Sequence, residues 1–164
     1  MEHQADVIIV GTGVAGLFCA LQLPKELHIL MITKDKAEHS DSYLAQGGIS
    51  TLRTPEDYDS YFEDTMRAGH YKNNPDSVDV MIRSSPQIIQ NLIDFGVKFE
   101  RTSDGLSYTR EGAHSTFRIL HHKDITGYEI TSKLMAQVQQ RPYIQIEEYT
   151  SMVDIIEQNH VCTG

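Results

Sequence analysis

The chain has 164 residues, with 14 lysines and arginines against 23 aspartates and glutamates and a net charge of -9. This acidic balance excludes a surface built for the phosphate backbone of nucleic acids, because such surfaces are basic. No apolar run approaches the roughly 18 residues of a membrane span, and the N-terminus lacks the basic and apolar segments of a secretory signal. We therefore predict a soluble, cytoplasmic globular protein.

A strand, a glycine turn and a helix open the chain. Residues 5–10, ADVIIV, form a β-branched run that is typical of a strand buried on both faces. Three closely spaced glycines follow, then an apolar helical rhythm that stops at Pro24, and then a second apolar strand over residues 27–33. A strand, turn, helix and strand within about thirty residues predict a βαβ unit and hence a parallel sheet.

The glycine turn, GTGVAG, fits the GxGxxG pattern of dinucleotide-binding domains. The pattern alone is weak evidence, but here it follows a strand and opens a helix, as the motif requires. Its glycines permit a tight turn, a close approach to a pyrophosphate and close packing of helix on strand. A structural turn without a ligand is the alternative. The residues expected at the diphosphate are Gly11, Thr12, Gly13, Val14, Ala15 and Gly16.

Lys34 stands at the tip of the second predicted strand. A domain that binds NAD has an acidic residue there to bind a ribose. Asp35 follows one position later, so it is displaced from that place. The pattern therefore weakens NAD as the ligand.

Residues 40–50, SDSYLAQGGIS, are too polar for a core strand and too glycine-rich for a stable helix. Beyond them we predict helices over residues 55–71, 75–95 and 126–140, with Pro86 kinking or splitting the second. Residues 97–122 read as short strands and loops, and residues 143–149 and 151–158 as two further strands. The acidic residues of the first of these helices are expected to form a solvated face.

The sequence resembles the flavoprotein family that contains L-aspartate oxidase and the flavin subunits of fumarate reductase and succinate dehydrogenase. The resemblance rests on DVIIVGTGVAGL, ITK, SYLAQGGI, TREGAHS with RILHHKDITG, and SMVDII, which span nearly the whole chain in the family's order. It implies an α/β, Rossmann-like FAD-binding domain with a parallel sheet. We expect residues 1–164 to be the N-terminal part of that domain, incomplete at its C-terminus.

In this family the loop after the second strand wraps the flavin, and backbone groups near residue 151 meet the adenine. Neutral donors and adjacent glycines suit that loop, because backbone N–H groups can then approach the flavin ring. The further cofactor contacts implied by the resemblance are Lys34, Asp41, Ser42, Tyr43, Leu44, Ala45, Gln46, Gly47, Gly48, Ser151 and Met152.

Two positions favour the L-aspartate oxidase branch of the family. The respiratory members bind flavin covalently through a histidine whose place is taken here by Asp41, so the resemblance implies non-covalent FAD. Glu111 matches a position thought to face a substrate ammonium group, where the dicarboxylate enzymes carry an amide. A carboxylate favours an amine and repels a substrate with carboxylates only. The alternative is that Glu111 is a surface acid paired with Arg110 or Arg118.

The resemblance therefore implies oxidation of L-aspartate to iminoaspartate in de novo NAD biosynthesis, by hydride transfer to flavin N5. Oxygen or fumarate would be the electron acceptor and quinolinate synthase a partner. The alternatives are a flavin subunit of fumarate reductase or succinate dehydrogenase, and a nucleotide-binding module without catalysis. The substrate arginine, a capping domain and a C-terminal helical domain would lie outside these residues, so we expect the 164 residues alone to be inactive.

The remaining reactive side chains give weaker indications. His114, His121 and His122 do not complete a metal-ligand spacing, and we expect no metal site. His114 and Ser115 are placed by the resemblance on the substrate side of the flavin. Cys19 and Cys162 are expected to be reduced thiols.

Overall fold

The computed structural model describes residues 4–164. The chain divides into two compact units, one comprising the residues up to Tyr43 together with Leu134–Gly164, the other comprising Leu44–Lys133. Within the described residues, no helix is both long enough and apolar enough to cross a bilayer.

The described residues form helices and short strands, and a 3-10 turn over Pro55–Asp57 leads into the third helix. In chain order the elements are β1 (Val7–Val10), α1 (Val14–Gln22), β2 (Ile29–Ile32), α2 (Asp41–Leu44), β3 (Ile49–Ser50), α3 (Tyr58–Ala68), α4 (Pro75–Asp94), β4 (Arg101–Thr102), β5 (Gly105–Leu106), β6 (Ile119–Leu120), α5 (Thr126–Gln139), β7 (Ile144–Glu147), β8 (Glu157–Gln158) and β9 (Val161–Cys162).

The first unit is built on a parallel sheet in the order β1-β2-β7. Ile29 pairs with Val7 on one side and with Ile144 on the other, so β2 is the central strand and all four of its residues are buried. This confirms the predicted α/β class. The carboxyl ends of the strands share one edge of the sheet, which is where such sheets bind their ligands.

The expectation that β1 is buried on both faces is wrong. Ile9 is buried, whereas Ile8 and Val10 are half exposed. The Cβ that an alanine would add at Gly16 of α1 comes within 3.3 Å of the Ile9 side chain, so Ile9 faces the helix. Ile8 and Val10 lie on the opposite face, and no element among the described residues buries them.

Helix α4 runs through Pro86 as one helix, so the expectation of a split is wrong, whereas a kink there stays a prediction. Proline has no N–H to donate to the Ile82 carbonyl one turn earlier. The Ser85 hydroxyl supplies that hydrogen bond instead, at 2.7 Å, and also accepts one from the Leu52 N–H at 2.9 Å. One buried serine thus replaces the missing helix bond and ties the preceding loop to α4.

Replacing Ser85 with alanine should lower the free energy of unfolding by about 1–3 kcal/mol, because the Leu52 N–H and the Ile82 carbonyl both lose a partner. The adjacent Ser84 is the matched control, since its exposed hydroxyl bonds only to carbonyls of its own helix. Urea unfolding of the complete protein checks both variants. Equal losses for Ser84→Ala and Ser85→Ala would contradict the role assigned to Ser85.

Two other segments differ from expectation. Residues 41–44 form one helical turn, although the surrounding segment was expected to be too glycine-rich for a helix. The turn can form because both glycines come after it. Residues 151–156 are exposed and form no strand, and the predicted strand is reduced to Glu157 and Gln158, which pair with β9 in a short hairpin. Apart from α2, the helices and the β7 strand lie where the sequence predicts them, within a few residues.

Candidate functional site

The glycine turn after β1 has the backbone geometry that its sequence predicts. Gly11 has a φ of +101°, a conformation that only glycine adopts readily. A Cβ on Gly16 would lie 2.2 Å from the Gly11 carbonyl oxygen, so α1 packs too closely on the turn for any side chain there. The first and third glycines are therefore required by the fold.

The second glycine brings α1 against the segment that follows β2. The Ser42 hydroxyl accepts a hydrogen bond from the Val14 N–H at 3.2 Å, at the first turn of α1. A Cβ on Gly13 would lie 3.1 Å from the same oxygen. The N-terminus of α1, with its positive dipole end, thus lies beside a hydroxyl that accepts from its first N–H.

A cavity of about 430 Å³ lies at the carboxyl ends of β1 and β2. The Thr150 N–H donates to the Thr33 carbonyl at 2.8 Å and brings residues 150–152 to its wall. The Thr12 hydroxyl oxygen is buried and has no hydrogen-bond partner among the described residues. The predicted cofactor residues that line this cavity are Gly11, Thr12, Gly13, Lys34, Asp41, Ser151 and Met152.

The other predicted cofactor residues lie outside that lining. Val14, Ala15 and Gly16 belong to α1. Ser42, Tyr43 and Leu44 lie in α2, and Leu44 is largely exposed. Ala45 accepts a hydrogen bond from the Gly127 N–H at 2.9 Å, and Gln46 is exposed. Their contacts with a cofactor stay a prediction.

In the second unit, Glu111 lies beside the paired glycines of the SYLAQGGI segment. Its Oε1 accepts a hydrogen bond from the Gly48 N–H at 3.3 Å, and the side chain is exposed. Neither cation proposed as its surface partner pairs with it, because Arg110 lies over the Phe117 ring and Arg118 is bound by aspartates. One carboxylate oxygen is thus fixed by the backbone, and the group remains open to a ligand.

The sequence did not predict a buried ionic cluster that lies next to the segment carrying Glu111. Arg118 is fully buried, and its guanidinium donates to Asp57 at 2.8 and 3.0 Å and to Asp64 at 2.7 Å. The expectation of a solvated acidic face on α3 is therefore wrong for Asp64, which is 3% exposed. The seven-residue spacing of Asp57 and Asp64, which places both on one helix face, was the only signal available.

Both aspartates of the cluster are held in the ionised form. Burial raises the pKa of Asp64, but hydrogen bonds from the Ser115 N–H, from Arg118 and from the Ser115 hydroxyl outweigh it and lower the pKa to about 2. Burial likewise opposes ionisation of Asp57, whose pKa is nevertheless lowered by Arg118, Ser60 and Thr116. The cluster therefore places two carboxylates around the buried Arg118, and the exposed Arg67 also pairs with Asp64 at 2.7 Å.

His114 lies at the edge of this cluster and is half buried. Its Nδ1 is 3.2 Å from a guanidinium nitrogen of Arg118, and its ring meets the Tyr61 ring edge-on at 5.9 Å between centroids. Burial, and then the charge of Arg118, lower the pKa of His114 below its ordinary value. The Nδ1 of His122 instead bonds the Lys98 carbonyl. These two of the histidines considered as metal ligands therefore lie in different environments.

Residues 6–164 match the FAD binding domain family. L-aspartate oxidase of Clostridium acetobutylicum is 46% identical over 165 residues, covering 100% of this chain and 38% of the relative. The Arabidopsis thaliana enzyme named "L-aspartate oxidase, chloroplastic" is 37% identical and covers 97% of this chain and 25% of the relative. The chain thus spans between a quarter and two fifths of the length of these relatives.

Two solved structures have the same fold. Escherichia coli quinol fumarate reductase FrdA superposes with a TM-score of 0.90 at 28% identity, over 99% of this chain and 29% of that chain. Sdh1 of Mycobacterium smegmatis superposes with a TM-score of 0.87 at 27% identity, over 99% and 30%. With the family match across nearly every residue, these similarities establish that the chain belongs to the FAD binding domain family.

Proposed function

We propose that the chain is the nucleotide-binding part of an L-aspartate oxidase, which converts L-aspartate to iminoaspartate with non-covalently bound FAD. The observation that carries the substrate assignment is the carboxylate of Glu111, exposed and fixed by the Gly48 N–H. The product would enter de novo NAD biosynthesis, with oxygen or fumarate as electron acceptor and quinolinate synthase as a partner. A cytoplasmic location stays a prediction.

The residues of the first unit fit FAD. The Thr12 hydroxyl is a buried polar group without a partner among the described residues, and such a group is stabilised by a ligand that accepts its hydrogen bond. The N–H groups at the start of α1 suit a diphosphate, and Lys34 adds a positive charge to the cavity wall. When bound, FAD supplies flavin N5 as the acceptor of the hydride from the substrate Cα.

Glu111 is the proposed contact for the substrate ammonium group. The Gly48 N–H orients the carboxylate through Oε1, which leaves Oε2 to accept from an amine. A hydrogen bond between two ionised groups contributes about 1.5–3 kcal/mol, which is enough to distinguish an amino acid from a plain dicarboxylate by at least tenfold. Gly48 and Glu111 together would therefore act as the amine-recognition element.

A flavin subunit of fumarate reductase or succinate dehydrogenase is the second candidate. The superpositions with FrdA and Sdh1 favour it, but their identities of 28% and 27% lie well below the 46% of the Clostridium enzyme. Asp41 also disfavours it, because an aspartate cannot form the histidyl bond to flavin that the respiratory members use.

The complete protein that contains this chain should be yellow, and acid precipitation should release all of its flavin into the supernatant. We expect release because Asp41 stands where a covalent link would form. Hydrogen peroxide should form from L-aspartate. Succinate is the matched control substrate, since it differs from L-aspartate only in lacking the amino group, and it should give at least tenfold less product.

The other outcomes identify the alternatives. Flavin that stays with the acid precipitate, combined with turnover of succinate, would support a respiratory subunit. A colourless protein that binds dinucleotides would support a binding module without catalysis.

A further inference from the structure

Arg118 is a fully buried cation whose position is fixed from several sides. Its Nε and Nη2 donate to Asp57, and Nη2 also donates to the Ser60 hydroxyl at 2.6 Å. The remaining nitrogen, Nη1, donates to Asp64. Its carbon centre lies 4.8 Å from the centroid of the Tyr61 ring. A buried cation held by two carboxylates and an aromatic ring has one stable orientation, because any other orientation leaves buried charges without their hydrogen bonds.

This fixed guanidinium reaches the segment that carries Glu111. The segment closes into a turn, since the His114 N–H donates to the Glu111 carbonyl at 3.0 Å; we call residues 111–115 the 111–115 turn. Asp64 accepts from both the N–H and the hydroxyl of Ser115 at 2.7 Å, while Arg118 contacts the His114 ring. The C-terminal end of the turn is therefore attached to the buried ionic cluster at two consecutive residues.

The contact between Arg118 and His114 fixes the ring proton of the histidine. A guanidinium nitrogen has only N–H groups to offer, so Nδ1 of His114 must be the acceptor. A ring nitrogen that accepts carries no proton, which leaves a neutral imidazole with its proton on Nε2. The charges facing the ring are Arg118, which opposes protonation, and Asp64, Glu111 and Asp57, which favour it; burial and Arg118 prevail.

We infer that Arg118 is a positioning residue that fixes the 111–115 turn and holds His114 as the neutral tautomer protonated on Nε2. The part of this inference that concerns the substrate rests on the function proposed for Glu111. His114 then offers a single, fixed N–H donor, and Glu111 is attached to the same rigid turn. Substrate affinity would depend on Arg118 although Arg118 contacts no substrate.

The tautomer can be read directly by ¹⁵N NMR of the complete wild-type protein labelled at histidine ring nitrogens, with His114→Asn to assign the signal. We expect a protonated Nε2 and an unprotonated Nδ1 at pH about 6.5, where an ordinary histidine is half protonated. A proton on Nδ1, or an imidazolium, would overturn the inference. This measurement needs neither turnover nor a variant of Arg118.

Arg118→Lys tests the effect on substrate. A lysine keeps the charge but cannot donate to Asp57, Asp64 and His114 together, so we expect mixed tautomers of His114 and a KM for L-aspartate raised about tenfold, with FAD content unchanged. Arg83→Lys is the matched control, because Arg83 forms an exposed ion pair with Asp79, and it should change none of these.

The outcomes separate the two proposals. A folded Arg118→Lys protein with the wild-type tautomer and KM would refute the positioning role. If that variant does not fold, the wild-type nitrogen spectrum still decides the tautomer. A wild-type protein that neither binds FAD nor oxidises L-aspartate would refute the proposed function, yet its histidine spectrum would still support or overturn the fixed tautomer.

Discussion

Replacing Glu111 with glutamine should lower kcat/KM for L-aspartate about 100-fold while the FAD content of the complete protein stays at the wild-type level. The substitution removes one charge and keeps the shape of the side chain. It removes an interaction between two ionised groups of up to about 3 kcal/mol, and 1.4 kcal/mol corresponds to a factor of ten. The amide oxygen of glutamine can still accept from the Gly48 N–H, so the loop should keep its conformation.

Steady-state peroxide formation with L-aspartate, and acid-released flavin per protein, measure the two quantities. Glu26→Gln is the matched control, since Glu26 is an exposed acid in the loop between α1 and β2. The same Glu111 variant should reduce fumarate faster relative to its aspartate activity, because a repulsive carboxylate has been removed. Unchanged kcat/KM for L-aspartate would remove Glu111 from the substrate site.

The features that the sequence predicted correctly depend on short stretches of chain. The turn over residues 11–16 follows from glycine spacing within one motif, and Gly11 with its positive φ and Gly16 with its 2.2 Å approach show why glycine is required. The parallel sheet follows from the order of strand, helix and strand. Helix starts at Pro55 and Pro75 were also predictable, because proline suits the first helical turn.

The features that the sequence did not predict depend on distant partners. Arg118 meets Asp57 and Asp64 across more than fifty residues, and the seven-residue spacing of those aspartates does not identify the cation that binds them. Pro86 was expected to kink or split α4, and the helix is not split because Ser85, buried against residues 51 and 52, replaces the missing hydrogen bond. In each case the partner that decides the outcome is brought close only by the fold.

Replacing Gly48 with alanine should disrupt the substrate side of the second unit. The effect should be larger than that of adding one methyl group at any other residue of the SYLAQGGI segment. The new Cβ would lie 2.2 Å from the Ile119 side chain and 2.5 Å from the Leu120 carbonyl oxygen, both in buried β6. Strand β3 begins at the next residue and pairs with β6, so Gly48 cannot move away without breaking that pairing. Overpacking of this kind costs about 1–3 kcal/mol of folding free energy.

Because Gly48 also donates to Glu111, the same displacement should raise the KM for L-aspartate about tenfold or more. Urea unfolding and steady-state kinetics of the complete protein measure the two effects. Gly47→Ala is the control for stability: its Cβ would be 3.5 Å from the Glu111 carboxylate, an ordinary contact with the end of a flexible side chain. A loss of stability in Gly47→Ala equal to that in Gly48→Ala would mean that backbone freedom of the paired glycines, and not the contact with β6, sets the requirement for glycine at position 48.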